Sequence, residues 1–150
     1  MSNQARYDYR GARVLVTGGT SGIGGGIAAA YRDAGADVTI TGTRAGTADY
    51  DDDLSGYRYL RLQLTDDAAI DALAATVPEL DILVNNAGGN FAAQNEYEPA
   101  VFERAVRVNL TSAYRLAHVF RPHHRAPCGT FRSPEWPLSS LRCRSSKWAT

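Results

Sequence analysis

Gly18, Gly22 and Gly24, set in "TGGTSGIG" from Thr17 to Gly24, have the type and spacing needed to hold a phosphate. Seven of the chain's 14 glycines fall between Thr17 and Gly35, and glycine inside a regular element only lowers its stability. At a strand-to-helix turn the same residues are useful. Bare backbone approaches a ligand closely, and a helix N-terminus adds unpaired N–H groups and partial positive charge. A pyrophosphate is the natural occupant. Other groups invite a metal, and their patterns do not support one. Asp49, Asp51, Asp52 and Asp53 crowd a polar loop with no His or Cys beside them, which reads as a solvated acidic loop. His123, His124 and Cys128 lack a fourth ligand at zinc spacing. No metal site is expected.

The elements that must position the glycines are legible around them. Arg13–Val16, "RVLV", is a short apolar run bounded by Gly11 and Gly18, as expected of a buried parallel strand. Ile23, Ile27, Ala30, Tyr31 and Ala34 recur at helical spacing, and Gly35 is placed to cap that helix. Gly25 and Gly26 enter its first turns, where each costs roughly 0.5–1 kcal/mol relative to Ala without a visible role. Asp37–Thr41 and Tyr57–Leu64 read as second and third strands. Thr65 is the expected N-cap of the next helix, with Asp66 and Asp67 in its first turn. Ile70, Leu73, Ala74 and Val77 mark its buried face, and Pro78 ends it. Leu80–Val84 is a fourth buried strand. A long helix is expected over 96–120, with Phe102, Ala105, Val106 and Leu110 on one side. Alternation of strands and helices predicts an α/β fold, a doubly wound parallel sheet. A strand order of 3-2-1-4 would put a dinucleotide at the switch point between strands one and four.

The glycine pattern Thr17-Gly18-x-x-x-Gly22-Ile23-Gly24 resembles the T-G-x-x-x-G-[IL]-G motif of the short-chain dehydrogenase/reductase family. Asn85-Asn86-Ala87-Gly88, directly after the fourth strand, matches a second signature of that family. The resemblance implies a Rossmann-like domain binding a nicotinamide cofactor through Gly18, Thr20, Ser21, Gly22, Ile23 and Gly24. It implies that Asn86 bridges strands and contacts the cofactor ribose, while Ala87 and Gly88 leave room for the ligand. It also implies that Asn109, within "RVNLTSAYRL", has the supporting role of an Asn at a point where the helix opens slightly and holds a water in the proton relay. The activity implied is hydride transfer between nicotinamide and a carbonyl or alcohol carbon. The alternative is a non-catalytic dinucleotide-binding or interaction protein.

Cofactor choice turns on the end of the second strand, Thr41-Gly42-Thr43-Arg44. NAD-selective proteins place an acid there for the ribose hydroxyls. Here no acid repels a 2′-phosphate, Arg44 can pair with one and Thr43 can donate a hydroxyl. NADP is therefore expected in preference to NAD. Beside the adenine, where the family often has Asp and a small apolar residue, this chain has Gln63-Leu64, and Gln can still hydrogen-bond the adenine edge.

The pattern breaks near residue 121. Residues 121–150 carry six basic residues and one acid, both tryptophans, both cysteines and the only lysine, Lys147. The family's Tyr-x-x-x-Lys pair, one helical turn apart so that both groups face the substrate, is absent, as is its serine. Cys143, not Tyr, precedes Lys147 at that spacing. The division expected is an incomplete dinucleotide-binding domain over 1–120, truncated before the catalytic residues. A basic, Pro-rich tail over 121–150 follows, read as out of frame or an erroneous end. Little or no turnover follows from that. Zero net charge and the lack of a reading motif argue against nucleic acid. No apolar run reaches membrane-spanning length, and the first residues lack a basic-then-apolar signal design. Two cysteines do not make a disulfide framework. The expected compartment is the cytoplasm, and the expected partners are a nicotinamide dinucleotide, an unknown small carbonyl or alcohol substrate, and a second copy of the chain.

Overall fold

In the computed structural model of the chain, residues 7–95 and 97–123 are described. Four strands form one parallel sheet: β1 (Arg13–Val16), β2 (Asp37–Gly42), β3 (Arg58–Arg61) and β4 (Ile82–Val84). Their order is β3-β2-β1-β4, as the sequence predicts. Val16 pairs with Ile40 on one side and Val84 on the other, so β1 is central.

Side chains alternate along β1, and this divides the interior into two layers. Val14 and Val16 face Ala28 of α1 (Gly22–Asp33), with Val38 and Ile40 of β2. Leu15 faces the opposite way, into Ile70, Leu73, Leu116 and Phe120. Those residues belong to α2 (Asp67–Thr76) and α4 (Ser112–Phe120). One helix on one face and two on the other is the doubly wound arrangement.

Helix ends follow local chemistry. Gly35 closes α1 at φ 90°; its N–H donates to Arg32 C=O at 2.9 Å and the Ala36 N–H to Tyr31 C=O at 3.0 Å. This double bond pattern satisfies two orphan carbonyls. The N-cap of α2 is Asp66 and not Thr65. The Asp66 carboxylate accepts from the Ala68 and Ala69 N–H groups at 2.9 and 3.2 Å, and a carboxylate there also gains from the helix dipole.

Three other expectations need adjusting. The third strand is confined to Arg58–Arg61, and the fourth begins at Ile82. The long helix is two, α3 (Pro99–Val106) and α4, joined by a π-helical turn over Arg107–Thr111. Phe102 and Leu110, read as lying on one side of that helix with Ala105 and Val106, are 59% and 66% exposed. The tail residues 124–150, including His124, Cys128, Cys143 and Lys147, lie outside the described residues.

Candidate functional site

The site begins where β1 and β4 diverge. Thr17, almost fully buried, ties their C-terminal ends together. Its hydroxyl donates to Val84 C=O at 3.2 Å and accepts from the Asn86 and Ala87 N–H groups at 3.0 and 3.1 Å. Asn86 returns the tie: its side-chain N–H donates to Thr17 C=O at 3.0 Å and Gly18 C=O at 3.2 Å. Two neighbouring parallel strands are thus stitched at the crevice where open α/β sheets bind ligands.

The glycines have distinct roles. Gly18 and Gly22 adopt φ of 65° and 56°, the left-handed region that L side chains enter at a cost. A Cβ on Gly24 would lie 2.1 Å from Gly18 O and 2.3 Å from Asn86 Nδ2, so only glycine lets α1 close on the turn. Gly25 and Gly26 meet no such neighbour: a Cβ on Gly26 finds nothing within 4 Å and one on Gly25 nothing nearer than 3.8 Å. Ser21, the N-cap of α1, makes no side-chain capping bond. Its hydroxyl and the first N–H groups of α1 are left to a ligand.

A cleft of about 350 Å³ runs across these ends, lined in part by Gly18, Thr20, Ser21, Gly42 and Thr43. Gln63, Leu64, Asn86, Ala87 and Gly88 line it as well. All of these but Gly42 were selected from the sequence, so nine sequence-selected residues meet on one cavity. Gly22, Ile23 and Gly24 stand at the adjoining start of α1, and Ile23 is 80% exposed. A glycine-rich turn, the helix's first N–H groups and hydroxyls from Thr20, Ser21 and Thr43 are the donor set a pyrophosphate needs. The residues present fit a dinucleotide.

Two sequence-selected residues are engaged elsewhere. Arg44 is not part of the cleft lining. Its guanidinium lies 4.8 Å from the centre of the Tyr50 ring and donates to Asp49 C=O. Asn109 sits on the π-helical turn, and its amide is paired with the backbone of Gly89. Its Oδ1 is 2.7 Å from where a Cβ on Gly88 would be, so Gly88 is small to admit this amide.

Tyr50, Leu62, Thr65 and Val108 also line the cleft, and sequence reasoning did not select them. Tyr50 follows a short 3₁₀ turn, Thr47–Asp49, in a stretch notable only for its aspartates. Its hydroxyl accepts from the Arg44 N–H at 3.1 Å and lies 3.3 Å from the Tyr59 hydroxyl. The Tyr59 hydroxyl donates to Arg44 C=O at 2.6 Å. Burial and then the Tyr50 contact push the Tyr59 phenol well above its usual range, so it keeps that proton. Among the described residues, no cluster of three or more His, Cys, Asp or Glu could hold a metal. No helix among them is long and apolar enough to cross a membrane.

Known proteins agree with this geometry. A family model described as short chain dehydrogenase matches residues 12–129. L-fucose dehydrogenase of Oryctolagus cuniculus is 35% identical over 137 residues, covering 86% of this chain and 47% of that protein. The 7alpha-hydroxysteroid dehydrogenase of Escherichia coli (strain K12) is 32% identical over 131 residues, covering 81% and 51%. The chain spans about half the length of the curated relatives it matches. Among solved structures, a Pseudomonas aeruginosa RhlG/NADP active-site complex superposes with a TM-score of 0.67 at 30% identity, over 80% of this chain and 51% of that one. With the glycine turn, the Asn86 stitch and the 3-2-1-4 sheet, the match over residues 12–129 means that the chain belongs to the short-chain dehydrogenase family.

Proposed function

We propose that the cleft binds a nicotinamide dinucleotide, NADP in preference to NAD, in the service of hydride transfer to or from a carbonyl or alcohol carbon. The observation that carries this reading is the pair of left-handed glycines, Gly18 in the turn after β1 and Gly22 at the start of α1. They open backbone N–H groups to an anion at the β1/β4 switch point. When bound, the nicotinamide supplies or accepts the hydride.

The chain's own residues bind and orient. Gly18, Thr20, Ser21, Gly22, Ile23 and Gly24 surround the pyrophosphate in this reading. Gln63 and Leu64 flank the adenine, and Asn86, Ala87 and Gly88 face the nicotinamide ribose. The preference for NADP is supported by Gly42, Thr43 and Arg44 at the end of β2, where no carboxylate stands to repel a 2′-phosphate. The 150 residues contain no Tyr-x-x-x-Lys, and the Asn109 amide is committed to Gly89. No group in this set hands a proton to a carbonyl oxygen, a contribution of ~10²–10⁴ in rate. We therefore assign these 150 residues cofactor binding with little or no turnover of their own. Their substrate class remains the family's carbonyl or alcohol, and their compartment the cytoplasm.

The test is an assay of NADPH oxidation by the purified chain against a broad carbonyl panel, alongside NADPH and NADH binding. Binding of NADPH more tightly than NADH, without protein-dependent oxidation, is expected. Tighter NADH binding overturns the cofactor choice, and robust turnover overturns the assignment of binding alone.

A further inference from the structure

Gly42 ends β2, the place where an acid would reach the ribose hydroxyls of NAD. In this chain that space is already filled, and from elsewhere in the sequence. A Cβ on Gly42 would lie 2.2 Å from the Tyr50 hydroxyl oxygen and 3.0 Å from Tyr50 Cζ. The tip of Tyr50 therefore occupies the volume that any side chain at position 42 would need. Tyr50 lines the cleft there together with Thr20, Gly42 and Thr43.

The hydrogen bonds around this phenol decide which way its proton is available. The Tyr59 proton goes to Arg44 C=O at 2.6 Å. The Arg44 N–H goes to the Tyr50 oxygen at 3.1 Å. Tyr50's own hydroxyl also meets Tyr59 across a longer 3.3 Å contact, and the Thr20 and Thr43 side chains hydrogen-bond the same phenol. A phenol that accepts the Arg44 N–H, at a tip that lines the cleft among these hydroxyls, can turn its own O–H to a ligand there. The Arg44 guanidinium, 4.8 Å from the centre of the same ring, adds positive charge beside the phenol. Donor and cation together suit an anion and not a neutral hydroxyl.

We infer that Tyr50 is the specificity-determining residue of this cleft, donating its hydroxyl hydrogen bond to a phosphate on the 2′ position of the adenosine ribose. The inference rests on the dinucleotide reading above and names the residue that discriminates. Arg44 is then a positioning residue: its backbone and its guanidinium fix the phenol, and its charge reinforces the site. Gly42 is required because anything larger displaces the phenol. Phe at position 50 keeps the ring under Arg44 and the edge contact with Tyr59, whose centroid is 5.8 Å away, so it removes the hydroxyl alone.

The test is titration of the wild-type chain, Tyr50→Phe and Gly42→Asp with NADP, NAD, 2′-AMP and 5′-AMP, with circular dichroism as the check on folding. The wild type should prefer NADP to NAD and 2′-AMP to 5′-AMP. Tyr50→Phe should weaken NADP and 2′-AMP about tenfold, the scale of one hydrogen bond to a charged group, and shift NAD and 5′-AMP by about twofold or less. Gly42→Asp should displace the phenol, supply a carboxylate and reverse the preference toward NAD. Equal effects of Tyr50→Phe on all four ligands, or none on NADP, would overturn the role of Tyr50 while leaving dinucleotide binding intact. Failure of the folded wild type to bind any of the four would overturn the dinucleotide reading, and this inference with it.

Discussion

Asn109 and Gly89 are bonded to each other twice. The Asn109 Oδ1 accepts from the Gly89 N–H at 2.9 Å, and its Nδ2 donates to Gly89 C=O at 3.0 Å. One side-chain amide thus imitates a strand partner for the loop that leaves β4, from a position where the helix is locally π-wound. Single-turn π bulges inside helices gather at functional sites, and here the bulge joins α3 to α4 beside the cleft.

Breaking that pair should loosen the loop. Asn109→Ala should cost about 1 kcal/mol or more, since two hydrogen bonds of ordinary net worth are lost. Asn109→Asp keeps an acceptor for the Gly89 N–H but loses the donor. Hydrogen exchange at Gly89 is the readout: fast in Asn109→Ala, still protected in Asn109→Asp. Unchanged protection in Asn109→Ala would mean that the loop is held by other contacts.

The glycine cluster separates into residues with opposite expectations. Gly26→Ala should stabilise the chain by about 0.5–1 kcal/mol, because helix propensity improves and a Cβ there meets nothing within 4 Å. Gly24→Ala should be destabilising, because its Cβ would collide with the Gly18 carbonyl. Thermal melts of the two variants should move in opposite directions. A lower melting temperature for Gly26→Ala would mean that its backbone is not the ordinary helix described here.

These two glycines also mark how far the sequence could be read. Strand order, the two-layer core and the glycine turn were all legible, because apolar alternation in "RVLV" and helical spacing after Gly22 are local signals. The N-cap was misplaced by one residue because Thr65 and Asp66 are both good caps and only geometry chooses between them. The opening of the long helix at Asn109 was implied by the family resemblance and not by helical spacing, and the pairing of Asn109 with Gly89 there, being tertiary, was illegible. Tyr50 was missed for the same reason. Nothing in "TADYDDD" says that its phenol packs on Gly42, which lies eight positions earlier on another element. Arg44 was legible as a cation at the right strand end, but not its stacking on Tyr50.

Arg44→Ala should weaken NADP binding more than NAD binding, because it removes the positive charge over the Tyr50 ring and frees the phenol. Paired isotherms for both cofactors give the comparison. Equal losses would show that the guanidinium has no part in discriminating a 2′-phosphate.

Asp66→Ala should cost about 1 kcal/mol, in the usual range for losing an N-cap carboxylate, because two N–H groups at the start of α2 lose their acceptor. Thr65→Ala should leave stability within about 0.5 kcal/mol. Urea titration distinguishes them, and a larger loss for Thr65→Ala would reinstate Thr65 as the cap.

Among the described residues β4 borders the sheet beside β1. No further strand among them pairs with β4 on the side away from β1, and such an edge invites pairing with another chain. The purified 150 residues should therefore associate in a concentration-dependent way. Light scattering across a dilution series tests this, and a monomer at all concentrations would mean that the edge is covered.

The central claim is that the turn from Gly18 to Gly24 binds a nicotinamide dinucleotide. Titrating the folded chain with NADPH, followed by nicotinamide fluorescence and by displacement with NADP, tests it most directly. A saturable one-site curve is predicted, reversed by NADP and weakened at least about tenfold in Gly22→Ala. That variant's Cβ meets no protein atom within 4 Å, and its left-handed backbone costs only about 1–2 kcal/mol of strain, so its fold should survive. A folded wild-type chain that gives no saturable signal, or a folded Gly22→Ala that binds NADPH as tightly as the wild type, would contradict the account.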